Sequence, residues 1–361
     1  HLRSLRDPHQ AMAELKRLSG RTTQTQQGEA RDKVNHILEA VRQRGDDAVV
    51  EFTEQFDGFR PVPLAVPPAD LEAAWAQLPT NLRDALELAH RRITDFHQRQ
   101  RPSDLAVTGP HGEKLGRRWR PVERAGLYVP GGRAAYPSTV LMNAVPARVA
   151  GVKNLVISSP AGRDGTVNPV VLAAAHLAGV KTVLRIGGAQ AIAAMAFGTE
   201  TVPKVDVISG PGNLYVTLAK QAVYGQVAID SLAGPSEVLV IADHSAEPEQ
   251  VAADLLAQAE HDPLAAAVLI TTDDHLADTI SAAVGRCGAS GGNALMLRCP
   301  RGSKHQQQID RLIPSGPGTK SRCIQKARSK TSQLLTALGP PGRIRGGRGR
   351  RVHAAVEGAP D

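Results

Sequence analysis

Aromatic residues are scarce in this chain. Phe, Trp and Tyr make up 3% of its 361 residues, and none follows Tyr224. The last third of the sequence therefore has no rings on which to stack bases, which removes a principal means of holding single-stranded nucleic acid. Cysteine is also rare: Cys287, Cys299 and Cys323 all fall late and share no CxxC spacing. A disulfide framework is not expected, and a reducing cytoplasm is the expected setting. No apolar run approaches the roughly 20 residues that a membrane span needs. The N-terminus shows no signal peptide. It starts at His1 rather than Met, so a fragment or a missing start is expected. A GxGxxG dinucleotide fingerprint is absent as well.

What is present suffices for two or three domains with a sizeable core, since 42% of the residues are apolar. The net charge of +8 is unevenly spread. Residues Arg298 to Asp361 hold 14 Lys and Arg against 3 Asp and Glu, a balance of +11. That leaves 29 basic and 32 acidic residues, or −3, in the first 297. A mildly acidic body thus carries a strongly basic tail. Its RIRGGRGRR run is like the RGG segments of RNA-binding proteins, but no aromatic is interleaved with it, so nucleic-acid binding is not the expected function.

Helical patterning fills the first hundred residues. QAMAELKRLSG (10–20), ARDKVNHILEAVRQRG (30–45) and DDAVVEFTEQFDGF (46–59) place apolar residues at helical spacing, with Gly stops. A Pro-rich link (61–68) precedes two more predicted helices, DLEAAWAQL and NLRDALELAHRRITDFHQRQR. From Val107 the texture changes to short β-type runs alternating with Gly turns and Ala-rich helices. GLYV (126–129), LVIS (155–158), TVLRI (182–186), VDVIS (205–209), EVLVIAD (237–243) and AAVLITTDD (266–274) read as strands. The βαβα rhythm predicts an α/β protein with doubly wound parallel sheets. The expected division joins residues 1–128 and 237–283 in one body, with 129–236 as a second, inserted α/β body. After Val284 periodicity fails, and 284–361 is expected to be disordered.

Three glycine-bearing turns could bring backbone close to a ligand. Gly187-Gly188 follows a strand and opens a helix, where free N–H groups suit an anion; a tight βα turn with Gln190 exposed is the plainer reading. In GPGN (210–213), Asn213 can cap the next helix or grip a ligand at a strand's carboxyl end. Tyr128, before Pro130-Gly131-Gly132, can stack on a base or simply pack in the core. Gly234-Pro235-Ser236 lacks the GxSxG of a nucleophile elbow. Gln258 and His261, three apart on PEQVAADLLAQAEHDP (248–263), share a helix face. Gln258 falls on the stripe of Val251 and Leu255, so it needs a buried partner. His261 is a plausible zinc ligand, or a cation suited to a helix C-terminus.

Taken together, RAGLYVPGGRAAYPSTVLMNAVPA, RIGGAQAIAAMAFG, SGPGNLYV, AGPSEVLVIAD and LLAQAEHDP resemble the histidinol dehydrogenase family in order and spacing, to about residue 283. The resemblance implies a zinc- and NAD-dependent oxidation of L-histidinol to L-histidine in histidine biosynthesis. It implies two incomplete Rossmann-like bodies with added helices, assembled as an intertwined homodimer. By motif match, Tyr128, Gln190 and Asn213 would contact NAD. Ser236 would contact substrate, and Gln258 and His261 would bind zinc and substrate.

The tail departs from that pattern. The family's Glu-His pair, which activates water and moves protons, is not found after this point, nor are its remaining zinc ligands. The Arg-, Gly-, Pro- and Ser-rich mixture is what a shifted reading frame in a GC-rich gene gives. The chain as written is expected to be impaired in turnover, or to be a non-catalytic remnant that binds NAD and histidinol, unless His305 or His353 substitutes.

Overall fold

The computed structural model describes residues 24–131, 135–232, 237–261 and 265–286, strands at 293–298 and 322–326, and short N-terminal stretches that include 2–5. The helix expected at 10–20 lies largely outside the described residues.

Among the described residues, four helices precede the first large sheet: α1 (Gln24–Arg44), α2 (Asp46–Asp57), α3 (Pro68–Ala76) and α4 (Thr80–Gln98). α2 stops because Gly58 takes the left-handed conformation at φ 78° and its N–H returns to the Glu54 carbonyl. A hairpin follows, β2 (Leu105–Thr108) against β3 (Lys114–Arg117), antiparallel and exposed on every residue. It was not legible in the sequence, because neither strand alternates between a buried and a wet face.

The first sheet contains β4 (Arg124–Tyr128), β5 (Asn154–Ser158), β6 (Thr182–Leu184), β7 (Val207–Ser209) and β8 (Ala228–Ile229). Its order is β6-β5-β4-β7-β8 and every pairing is parallel. Helices α5 (Pro137–Ala150), α6 (Pro169–Leu177), α7 (Gly188–Phe197) and α8 (Leu214–Val223) make the crossovers. Numbered within the sheet, the order is 3-2-1-4-5, the doubly wound arrangement whose ligand crevice opens where the order reverses, between β4 and β7. The parallel strands expected near 155–158, 182–186 and 205–209 are all present.

Alternation along β4 decides what lies on each face. Ala125, Leu127 and Val129 join a core with α3, α4, α5 and α6, whereas Tyr128 joins one with α1, α2, α7 and α8. Gly126 faces this second layer, where a Cβ would sit 2.8 Å from Met195 Sδ and 3.1 Å from Val205 Cγ2. The strand needs glycine there because α7 packs directly on its backbone.

The helical N-terminus therefore packs differently from expectation. Val34, Ile37, Leu38 and Val41 of α1 bury against α7 and α8, not against the 237–283 units. β4, placed by the sequence reading outside the inserted body, is the central strand of its sheet. An amphipathic stripe states that a face is buried; it does not state against what.

The second sheet has the order β1-β11-β10-β9-β12, from β1 (Leu2–Leu5), β9 (Glu237–Ala242), β10 (Ala266–Thr271), β11 (Asn293–Arg298) and β12 (Arg322–Lys326). β9, β10, β11 and β1 run parallel, and β12 is antiparallel to β9. α9 (Pro248–His261) and α10 (Asp274–Arg286) make the crossovers around a core of Val240, Leu255, Leu269 and Ile280. Two of these strands come from the segment expected to be disordered. Residues 284–286 end α10, and the rest of 284–361 lies outside the described residues.

Candidate functional site

The crevice at the switch point is a cleft of about 800 Å³. Its floor is built from the carboxyl end of β4 and the N-terminal turn of α7; α1 and the end of α2 supply one wall, and Asn213 and Tyr215 another. Three residues singled out from the sequence, Tyr128, Gln190 and Asn213, line it together.

Tyr128 ends β4, 4% exposed, and its hydroxyl accepts the Gly188 N–H at 3.2 Å. Burial pushes its pKa up to about 12, against the Gly188 hydrogen bond, which lowers it; the nearby Asp57 charge adds to the rise. The phenol is therefore neutral at ordinary pH and keeps a proton to donate. Core packing and cleft lining are both true of this residue.

Gln190 was the surprise of its turn. The plainer reading left it exposed, but it is 1% exposed, because α2 covers α7 and sets Thr53 Oγ1 3.5 Å from the Gln190 Nε2. Its Oε1 is buried with no hydrogen-bond partner. Gly188 is tightly constrained beside it: φ is +64°, and a Cβ would stand 2.6 Å from that oxygen.

Asn213 caps α8 through its side-chain oxygen, which accepts the Val216 N–H at 3.1 Å. Capping and a place in the cleft are compatible, since the cap uses the oxygen and leaves the amide nitrogen as a donor.

Asp57, His36, Lys33 and Phe56 also line the cleft and were not singled out from the sequence. Asp57 Oδ2 is buried without a partner, and burial raises the carboxyl's pKa above its ordinary value. The available signal was the Asp57-Gly58 stop at the end of an amphipathic helix, which marks where a chain turns but not what it faces.

The remaining candidates belong to the second sheet. Gln258 is 5% exposed on α9, on the stripe of Val251 and Leu255 as its spacing predicts. His261 ends α9; its side chain, and the whole of Ser236, lie outside the described residues. Among the described residues no group of three or more His, Cys, Asp or Glu is placed to hold a metal.

Chemically, the cleft offers a neutral phenol and a side-chain amide as donors. It also offers two buried acceptors that lack donors and, from α1, two groups that can carry positive charge. That set suits a polar ligand bearing hydroxyl or amino donors together with anionic groups.

Comparison with known proteins gives this geometry a family. The sequence profile of "Histidinol dehydrogenase" matches residues 20–294. A histidinol dehydrogenase of Parasynechococcus marenigrum (strain WH8102) is 77% identical over 283 residues, 78% of this chain and 65% of that protein. One of Prochlorococcus marinus (strain MIT 9313) is 71% identical over 276 residues, 76% of this chain and 62% of that protein. The crystal structure of histidinol dehydrogenase from Elizabethkingia anophelis superposes with a TM-score of 0.74 at 36% identity, covering 87% of this chain and 74% of that one. The chain spans less than two thirds of the length of these two relatives from Parasynechococcus and Prochlorococcus. With the profile matching from α1 to the start of β11, the chain belongs to the histidinol dehydrogenase family.

Proposed function

We propose that the switch-point cleft binds NAD and that the chain descends from an enzyme oxidising L-histidinol to L-histidine. The observation that carries the reading is the pair of buried, donorless acceptors, Gln190 Oε1 and Asp57 Oδ2, lining one crevice with Tyr128 and Asn213. A buried acceptor without a donor costs free energy that a ligand's hydroxyl or amide groups can offset. NAD carries such groups on its riboses and carboxamide, and its pyrophosphate suits Lys33 and His36. Bound NAD supplies the hydride acceptor for each of the two oxidations, alcohol to aldehyde and hydrated aldehyde to acid. This chain's residues would bind and orient it: Asn213 and Tyr128 by donation, Gln190 and Asp57 by acceptance.

Zinc is proposed on the family resemblance, through Gln258 and His261, with Ser236 on the substrate. The described residues do not assemble a ligand set for it. The family's Glu-His pair is not found in the sequence after residue 283. Loss of a general base typically costs about 10²- to 10⁴-fold in rate. The reading is therefore a binding-competent chain with little or no turnover.

A second copy of the chain is the proposed partner. An isolated two-stranded hairpin is marginal in water, and β2–β3 leaves Leu105, Val107 and Leu115 exposed with Trp119 beside them. No described helix is long and apolar enough to cross a membrane; a cytoplasmic setting is proposed from the family's biosynthetic role.

The test follows NADH production from L-histidinol with added zinc, on this chain and on a form with the reading frame restored after residue 283. Turnover in the restored form alone supports the proposal. Equal turnover in both overturns the loss of the base, and turnover in neither overturns the assignment of activity.

A further inference from the structure

An ion pair between a buried lysine and a partly exposed aspartate holds the turn that leads into α8. Lys220 of α8 is 2% exposed; its Nζ donates to the Gly210 carbonyl at 3.1 Å and to Asp230. Asp230, just past β8, accepts the Gly210 N–H at 2.8 Å and the Ser231 N–H at 2.6 Å, and the Ser209 hydroxyl stands 3.2 Å from it. The two peptide units that flank the Gly210 α-carbon are thus fixed by the two members of one pair. Gly210 has φ +122° and lies so close to β4 that a Cβ would be 2.1 Å from the Tyr128 carbonyl oxygen. Three residues further on is Asn213, the cap of α8 and part of the cleft wall. On the other side, Ser231 begins the connection that leads to Ser236.

Burying an ammonium group is costly, and its partner Asp230 stays about a third exposed, so the pair does not serve core packing. A charged pair at this place needs another explanation, and its partners supply one. Burial works against the Asp230 carboxylate, but the bonds from Lys220, Gly210 and Ser231 outweigh it and hold the group below the usual carboxylate range. The carboxylate is kept ionised so that both of its oxygens can accept.

We propose that Lys220 and Asp230 are positioning residues for the cofactor cleft: their ion pair fixes the Gly210 turn against Tyr128, and through it the placement of Asn213. The proposal rests on reading the cleft as the NAD site and deepens it. Asp230→Asn separates positioning from folding, because an amide retains one acceptor oxygen and turns its N–H₂ toward either the Gly210 or the Ser231 N–H. Lys220→Met/Asp230→Asn removes both charges at similar volume, so no lone buried charge remains and the fold is expected to survive.

The experiment measures the NAD dissociation constant by calorimetry and the melting midpoint on the whole chain and these two variants. The expected result is a double variant that melts within a few degrees of the parent but binds NAD roughly tenfold more weakly, the scale of one lost charge-assisted contact. If the double variant keeps its melting midpoint and binds NAD within about twofold of the parent, the pair does not position the cleft and the inference is overturned. If Asp230→Asn alone fails to fold, the double variant still decides between these outcomes. A parent chain that does not bind NAD overturns the cleft reading and this inference together; normal parent affinity with an indifferent double variant overturns this inference alone.

Discussion

Asp57 shows how a single side chain can work against the fold that carries it. Burial raises its pKa, so the folded state disfavours the charged form. For an acid, a raised folded pKa means that stability is lost as pH rises through the titration: the unfolded chain releases the proton first. Asp57→Asn is therefore expected to raise the melting midpoint at neutral pH, with the gain shrinking as pH falls through the folded pKa. A lower midpoint at neutral pH would show that the carboxylate is stabilised by something other than ligand. At this scale the sequence was informative about Asn213, where a strand-turn-helix context made a cap foreseeable and the cap is present. It was uninformative about Gln190 and Asp57, because their burial depends on α1 and α2 lying over α7, a contact between segments more than a hundred residues apart.

Among elements, the alternation of strand and helix from residue 124 onward was legible because fully buried parallel strands read as short apolar runs between Gly turns. The glycines within that pattern differ in what they are for. Gly126 is set by close packing: a methyl group would meet the Met195 sulfur and the Val205 methyls. Gly126→Ala is expected to destabilise the fold by about 1–3 kcal/mol, the usual range for overpacking, measured by denaturant unfolding. An unchanged midpoint would mean that α7 can shift away from β4. The elements the sequence missed share a physical cause. β1 is too short to show a period, and β2–β3 is exposed throughout, so no apolar alternation was available. The helices expected at 30–59 and 68–101 are present, but their stripes could not say which sheet they cover.

For the molecule as a whole, the 3-2-1-4-5 order explains why residues from 33 to 215 converge on one crevice. The second sheet repeats only the 3-2-1 half in β11, β10 and β9, flanked by β1 and β12, so no described strand extends its parallel order past β9 on that side. The exposed hairpin gives the proposed self-association a place to act. Leu115→Lys, at a position 65% exposed, is expected to move the chain toward monomer in sedimentation equilibrium with little change in melting midpoint. An unchanged mass distribution would place any second copy elsewhere.

The most direct test of the cofactor cleft is a calorimetric titration of NAD into this chain beside Gln190→Leu. Leucine fills a similar volume without the buried, donorless oxygen, so the variant is expected to fold at least as stably as the parent. The account expects one saturable NAD site in the parent and an affinity weaker by about tenfold in the variant, the scale of a lost hydrogen bond to a buried acceptor. Equal affinity in both, or no NAD binding by a folded parent, would contradict it.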